Sequence, residues 1–200
     1  MVRSSKDIDK YDEFMPFILK NRRAFLFPVY KGTFERGNDA VASLFQGESH
    51  QYTEFVIKVV KDFRRSVDYL ETRSDIDCGK LAYLGWSLGA TWGTIITAIE
   101  DRLKASVLRQ GGFHDIRRPE VDPFNYVSRV RIPTLMLNGR YDTAFPYEMS
   151  AKPMFDLLGT PPEQKELKVY DTDHTIPDSE FVKETLRWLD KYLGPVKRRD

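Results

Sequence analysis

The chain has 200 residues, 41% hydrophobic, 13% aromatic and 30% charged, a composition that supports the core of one folded domain and excludes a disordered chain. Its 31 Lys and Arg balance 30 Asp and Glu for a net charge of +1, and no basic block is interleaved with aromatics, which argues against nucleic acid as a main partner. The one cysteine, Cys78, excludes an intrachain disulfide and suits a reducing compartment, and no early apolar run reads as a signal peptide or membrane span, so a cytoplasmic protein without membrane partners is expected.

Residues 9–21, with Phe14, Met15, Phe17, Ile18 and Leu19, predict a short helix, and residues 24–30 form a continuous apolar run of the buried-strand kind. The stretch 31–50 lacks periodicity. Residues 52–72 place Phe55, Val56, Val59, Val60, Phe63, Val67 and Leu70 three and four apart, the stripe of a long amphipathic helix. Strands are predicted at 81–84, 105–108, 132–137 and 167–170, and helices at 89–99, 149–158 and 180–193. Lys197, Arg198 and Arg199, next to the C-terminal Asp200, read as a solvated basic tail.

Strand and helix therefore alternate almost throughout. Parallel neighbours need a crossover, and a helical crossover packs back on the sheet, so the pattern predicts an α/β fold: a mostly parallel sheet with helices on both faces, all within one domain spanning residues 1–200. In such sheets ligands gather beyond the carboxyl ends of the strands, and functional side chains are sought there.

The string Gly85-Trp86-Ser87-Leu88-Gly89 lies at one such end, between an apolar strand and a helical segment. A nucleophile on a sharp strand-to-helix turn needs small neighbours so that the backbone can take a strained conformation and lift the hydroxyl clear. The helix N-terminus beyond Ser87 favours developing negative charge, and the Leu88 N–H is the natural oxyanion donor. A serine is a weak nucleophile without a base, and the base needs a group that fixes its tautomer. Of the three histidines, His174 follows the strand at 167–170 in a polar loop before the last helix; His114 is the second choice and His50 lies in the aperiodic stretch. Asp142 follows the strand at 132–137 in a glycine-containing turn, and is preferred as the acid over Asp173, whose side chain adjoins the histidine in sequence. Trp86, Phe113, Tyr141 and Phe145 flank the strand ends as candidates for an apolar substrate pocket.

The motif at 85–89, the segment Pro133-Thr-Leu-Met-Leu-Asn-Gly-Arg-Tyr-Asp142 and the Asp173-His174 loop together resemble the α/β-hydrolase superfamily, in the branch of dienelactone hydrolases, acetyl xylan esterases and prolyl-oligopeptidase-like domains. The resemblance covers about residues 23–193. It implies a three-layer core with Ser87 as nucleophile, His174 as general base and acid and Asp142 as the orienting carboxylate, and it implies no cofactor and no metal. The early strands of that family and its glycine-rich loop with a second oxyanion N–H are not found, and the segment from Gly111 to Arg131 is too short for a large lid.

A carboxylesterase for small or short-chain esters is the expectation. Two alternatives stay open: a peptidase of the prolyl-oligopeptidase kind, and a weak or idle domain kept as a binding or assembly module. An unpaired sheet edge on the amino-terminal side would be available to a second copy of the chain, giving a homodimer.

Overall fold

A computed structural model describes residues 15–37 and 48–196. The early part of the first predicted helix, including Phe14, much of the aperiodic stretch and the basic tail at Lys197, Arg198 and Arg199 lie outside the described residues. Two compact units are distinguished: one takes the chain up to Ile76 with Ile116–Val121 and Val196, the other takes Asp77–Asp115 and Asp122–Pro195.

In the first unit, α1 spans Met15–Lys20 and α2 spans His50–Glu71. Ser49 caps α2, its hydroxyl accepting from the Tyr52 N–H at 3.1 Å, and satisfies one of the donors that the first helical turn leaves without a partner. Tyr52, Phe55, Val56, Val59, Val60 and Val67 of α2 are buried, on the stripe expected from their spacing. Asp62 on the same helix accepts from the Lys31 N–H at 2.6 Å and from Arg36 Nη1 at 2.8 Å, while Arg36 Nη1 also donates to the Val29 carbonyl at 2.7 Å. Burial and the Asp62 carboxylate both push the Tyr30 hydroxyl upward in pKa.

The apolar run at 24–30 is the clearest departure from expectation. It is not a strand: no sheet ladder forms there, and Leu26 and Phe27 are 39% and 38% exposed. Among the described residues no neighbouring strand pairs with it, Pro28 has no N–H to offer a ladder, and the charged contacts of Arg36 and Asp62 hold the segment instead.

The second unit carries the sheet. Strands β1 (Leu81–Trp86), β2 (Leu103–Arg109), β3 (Thr134–Gly139) and β4 (Lys165–Tyr170) lie in the order β1-β2-β3-β4, and every pair is parallel. The helices are α3 (Leu88–Ile99), α4 (Phe124–Val127), α5 (Lys152–Leu157) and α6 (Asp178–Leu193). All predicted strands of this unit form: β1, β2 and β4 run two or three residues beyond their apolar runs, and β3 keeps its length but lies two residues further along the chain than expected.

Helices cover both faces of this sheet, as one register argument shows. Gly93 of α3 sits so close to Leu108 that an added Cβ would meet its side chain at 2.7 Å, whereas the guanidinium of Arg109 lies 4.4 Å from the ring of Phe181 on α6. Successive strand residues point to opposite faces, so α3 and α6 flank the sheet on opposite sides. Between them Leu108, Leu135, Met136 and Leu137 are wholly buried, each contributing roughly 1.5–3 kcal/mol by leaving water. The helix predicted at 149–158 divides into a wide π-type turn, Tyr147–Ala151, followed by α5. Pro153 accounts for the division, since it has no N–H for a regular helical bond and its ring crowds the carbonyl four residues back. The stretch from Gly111 to Arg131 holds only the four-residue α4, too little for a helical lid.

Register also brings the strand ends level. Trp86 pairs with Arg109, Arg109 with Leu137, and Gly139 with Tyr170. The residues that follow β1, β3 and β4 therefore emerge along one edge, and Ser87, Asp142 and His174 are among them.

Candidate active site

Ser87 is the hinge between β1 and α3. Its φ of 55° and ψ of −120° lie in a region that residues with a side chain rarely adopt. The turn is held from both sides: the Ser87 N–H donates to the Arg109 carbonyl at 2.9 Å, and the Ser87 carbonyl accepts from Ala90 N–H at 2.9 Å and Thr91 N–H at 3.1 Å. The two flanking glycines do different jobs. A Cβ on Gly85 would fall 2.5 Å from the Gly89 carbonyl oxygen and 2.7 Å from the ring of Tyr83, so no larger residue fits. At Gly89 the nearest atom to an added Cβ is the Tyr83 hydroxyl at 3.8 Å, an ordinary contact. That hydroxyl donates to the Gly89 carbonyl at 2.6 Å and pins the start of α3 to β1.

Asp142 follows β3 and is buried. One carboxylate oxygen accepts from the N–H groups of Ala144 at 2.8 Å and Phe145 at 3.0 Å, which fixes the group and leaves its other oxygen 2.7 Å from His174 Nδ1. His174 Nε2 lies 3.1 Å from Ser87 Oγ. An ionised carboxylate only accepts, so Nδ1 carries the ring proton and Nε2 presents its lone pair to the serine hydroxyl. The sequence-selected nucleophile, base and acid thus meet within hydrogen-bond reach, although they lie 32 and 87 residues apart along the chain.

The loop bearing His174 is closed onto the ends of β2 and β3. Tyr141 N–H donates to the Thr172 carbonyl at 2.9 Å and Arg140 N–H to the Tyr170 carbonyl at 2.7 Å. Gly139 makes this possible, because a side chain there would overlap the carbonyls of Thr172 and Asp173. From β2, Arg109 Nη2 donates to the Ile176 carbonyl at 3.4 Å and to Asp178 at 3.1 Å, and the Gln110 amide donates to the His174 carbonyl. Sequence reading missed Gly139, Arg109 and Gln110. The available signal was a polar pair and a glycine at the very ends of apolar strands, where side chains face the site rather than the core.

The remaining candidates sort by contact. Leu88 opens α3, and the helix's own bonding begins with Ala90 and Thr91, so its N–H stands in the first turn, where no intrahelical acceptor exists. Trp86, 41% exposed, lies near-parallel to the His174 ring with centroids 6.5 Å apart. Phe145 also stacks on His174, at 5.8 Å, but at 2% exposure it backs the imidazole from within the core and offers no open surface. Tyr141 is 64% exposed, and Phe113, half-buried, packs on Phe124 at 5.7 Å. The rival residues are occupied elsewhere. His114 pairs with Asp115 at 2.9 Å, the Asp173 carboxylate accepts from Thr175 N–H at 2.9 Å as a turn cap, and His50 begins α2 in the other unit. Among the described residues no three His, Cys, Asp or Glu side chains gather as metal ligands, and no helix is long and apolar enough to cross a membrane.

The model of the PET hydrolase-like family matches residues 46–200. The chain belongs to that family. Its fold is that of the α/β-hydrolases, as the solved structures similar to it bear out. A cold-adapted esterase from an Arctic intertidal metagenomic library superposes with a TM-score of 0.62 at 25% identity, over 72% of this chain and 62% of that one. The acetyl xylan esterase from Paenibacillus sp. R4 gives 0.60 at 20% identity, over 70% and 54%. A 2,6-dihydroxy-pseudo-oxynicotine hydrolase gives 0.54 at 24% identity, over 67% and 46%. The chain spans less than two thirds of the length of each of these proteins. No curated protein matches it.

Proposed function

We propose that this member of the PET hydrolase-like family is a serine hydrolase that cleaves small or short-chain carboxylic esters through an acyl-enzyme on Ser87. One observation carries the proposal: Ser87, at a φ of 55°, lies 3.1 Å from His174 Nε2 while Nδ1 of the same ring lies 2.7 Å from Asp142. Each of those contacts has a chemical use. His174 takes the hydroxyl proton as Ser87 Oγ bonds to the ester carbonyl carbon, and Asp142 holds the tautomer and balances the imidazolium. The carbonyl oxygen gains negative charge and accepts from the Leu88 N–H at the α3 N-terminus. Collapse breaks the bond to the leaving oxygen, which His174 protonates, so the alcohol departs and the acyl group stays on Ser87. A water deprotonated by His174 then releases the acid and restores the serine.

The esterase named among the similar structures at 25% identity supports an ester over an amide as substrate. Trp86 and Tyr141, both exposed beside the triad-bearing turns, are the candidates for contact with the substrate. The absence of a helical lid between Gly111 and Arg131 favours small or water-soluble esters. A cytoplasmic location, which Cys78 as a free thiol suits, belongs to the same reading. So does pairing of two copies through the outer edge of β1, which has no further strand beside it among the described residues; light scattering measures it.

Intact mass after exposure to a fluorophosphonate tests the central claim without assuming a substrate. A single adduct on the parent that vanishes in Ser87→Ala, together with hydrolysis of short-chain aryl esters, is the expected outcome. A folded parent that takes no adduct and turns over no ester would sink the reading, and an amide panel run alongside would expose peptidase activity.

A further inference from the structure

Gln110 follows β2 directly, is wholly buried, and has a φ of 54°. Its bonds reach every branch of the site. The backbone N–H donates to the Leu137 carbonyl at 2.7 Å on β3, the strand that leads to Asp142. The side-chain oxygen accepts from Trp86 Nε1 at 2.7 Å, in the residue that precedes Ser87. The side-chain nitrogen donates to the carbonyl oxygen of His174 itself. An indole only donates and a carbonyl only accepts, so the amide has a single orientation that satisfies both. Arg109 beside it reinforces the arrangement, its carbonyl accepting from Ser87 N–H at 2.9 Å and its guanidinium bonding to Ile176 and Asp178 beyond the histidine.

The imidazole has to satisfy Asp142 and Ser87 at once. The near-parallel rings of Trp86 and Phe145, tilted by 21° and 26° from it, resist tipping of the imidazole but not sliding in its own plane. What limits the slide is the main chain of His174, and the side chain that grips its carbonyl is Gln110. We propose that Gln110 is a positioning residue, which sets His174 between Asp142 and Ser87 by joining its carbonyl to the indole of Trp86. The proposal rests on the serine-hydrolase reading of the site and adds to it a residue that never touches the substrate.

Gln110→Met keeps the length of the side chain and loses both bonds. With active sites counted by fluorophosphonate titration, kcat per site on a short-chain aryl ester is expected to fall about ten- to a hundredfold, as small misplacements of catalytic groups do, with KM within about twofold of the parent. A merely structural role would reduce the number of titratable sites and leave kcat per site unchanged, and kcat per site within about twofold of the parent overturns the proposal. Gln110→Glu, which keeps the shape and can still accept from the indole, is judged by the same two criteria if Gln110→Met does not fold. A parent that neither labels nor hydrolyses ester defeats the hydrolase reading alone. The positioning claim is then decided by NMR: the His174 ring signals of the folded variant should move from those of the parent about as far as in Asp142→Asn, and signals that coincide with the parent's overturn it.

Discussion

Strands β1 and β2 are neighbours in register, and each is followed directly by a side-chain-bearing residue forced to a positive φ: Ser87 at 55° and Gln110 at 54°. The two φ values are nearly the same, and each positive φ costs on the order of 1–3 kcal/mol that the surrounding bonds must hold in place. The outcomes differ. At the end of β1 the kink lifts a hydroxyl to His174, whereas at the end of β2 it turns an amide inward, where it bonds to Trp86 and to the carbonyl of His174. Strain of one kind thus serves display at one strand end and anchorage at the next.

The largest expected effect lies on the display side. Ser87→Ala should abolish fluorophosphonate labelling, and Asp142→Asn, which leaves the buried carboxamide free to present the wrong partner to Nδ1, should cut kcat for ester hydrolysis by on the order of 10³- to 10⁴-fold. Stopped-flow or steady-state turnover measures both. A loss in Gln110→Met as large as that in Asp142→Asn would erase the distinction between chemistry and anchorage. A second pair of variants sharpens the account of the β1 kink. Gly85→Ala drives a methyl into the Gly89 carbonyl and the Tyr83 ring and is expected to cost about 1–3 kcal/mol in urea unfolding together with much of the labelling. Gly89→Ala has 3.8 Å of clearance in the first turn of α3, where alanine is the better helix former, and should be neutral or stabilising by up to about 1 kcal/mol. Equal damage from both would mean that the motif's glycines are needed for something other than room.

These two strand ends were not equally legible. The end of β1 carried a pattern with a stated mechanism, because a tight strand-to-helix turn demands small residues on either side of the serine, and the same logic of polar residues just past apolar strands led to Asp142 and His174. Gln110 also stands just past an apolar strand, but nothing in its neighbourhood names a chemical role for it. Its meaning depends on contacts 24 and 64 residues away, and a buried glutamine before two glycines reads in sequence as part of a turn. Gly139 was hidden for the same reason, since only the fold brings the Thr172 and Asp173 carbonyls against it. The run at 24–30 misled in the opposite direction. Its apolar residues suit a strand, but a strand needs a partner for its backbone groups, and among the described residues none is adjacent.

A smaller effect is expected on the far side of the sheet, where α6 meets β4 and no backbone strain is involved. The Glu184 carboxylate is almost wholly buried, with Lys168 at 2.7 Å and Arg187 at 2.6 Å. Burial alone would raise its pKa, but the bonds from Lys168 and Arg187 prevail and hold it below the usual carboxylate range. A carboxylate depressed in the folded state contributes stability that is complete above its unfolded pKa and is lost as pH falls through the folded one, so this cluster weakens only in acid. Nearby, burial and the charge of Glu184 push the Tyr170 hydroxyl up to about 12. Its sign is the reverse: the folded state keeps a proton that the unfolded chain releases from about pH 10, and stability declines as pH climbs between the two values. Glu184→Gln should therefore flatten both limbs of a plot of unfolding free energy against pH, by at most about 1 kcal/mol because its partners Lys168 and Arg187 are a third or more exposed. Labelling of Ser87 at neutral pH should not change. If it did, α6 would be transmitting the state of this cluster through Asp178 and Arg109 to the ends of β1 and β2, and the two kinks would no longer be independent of the helix behind them.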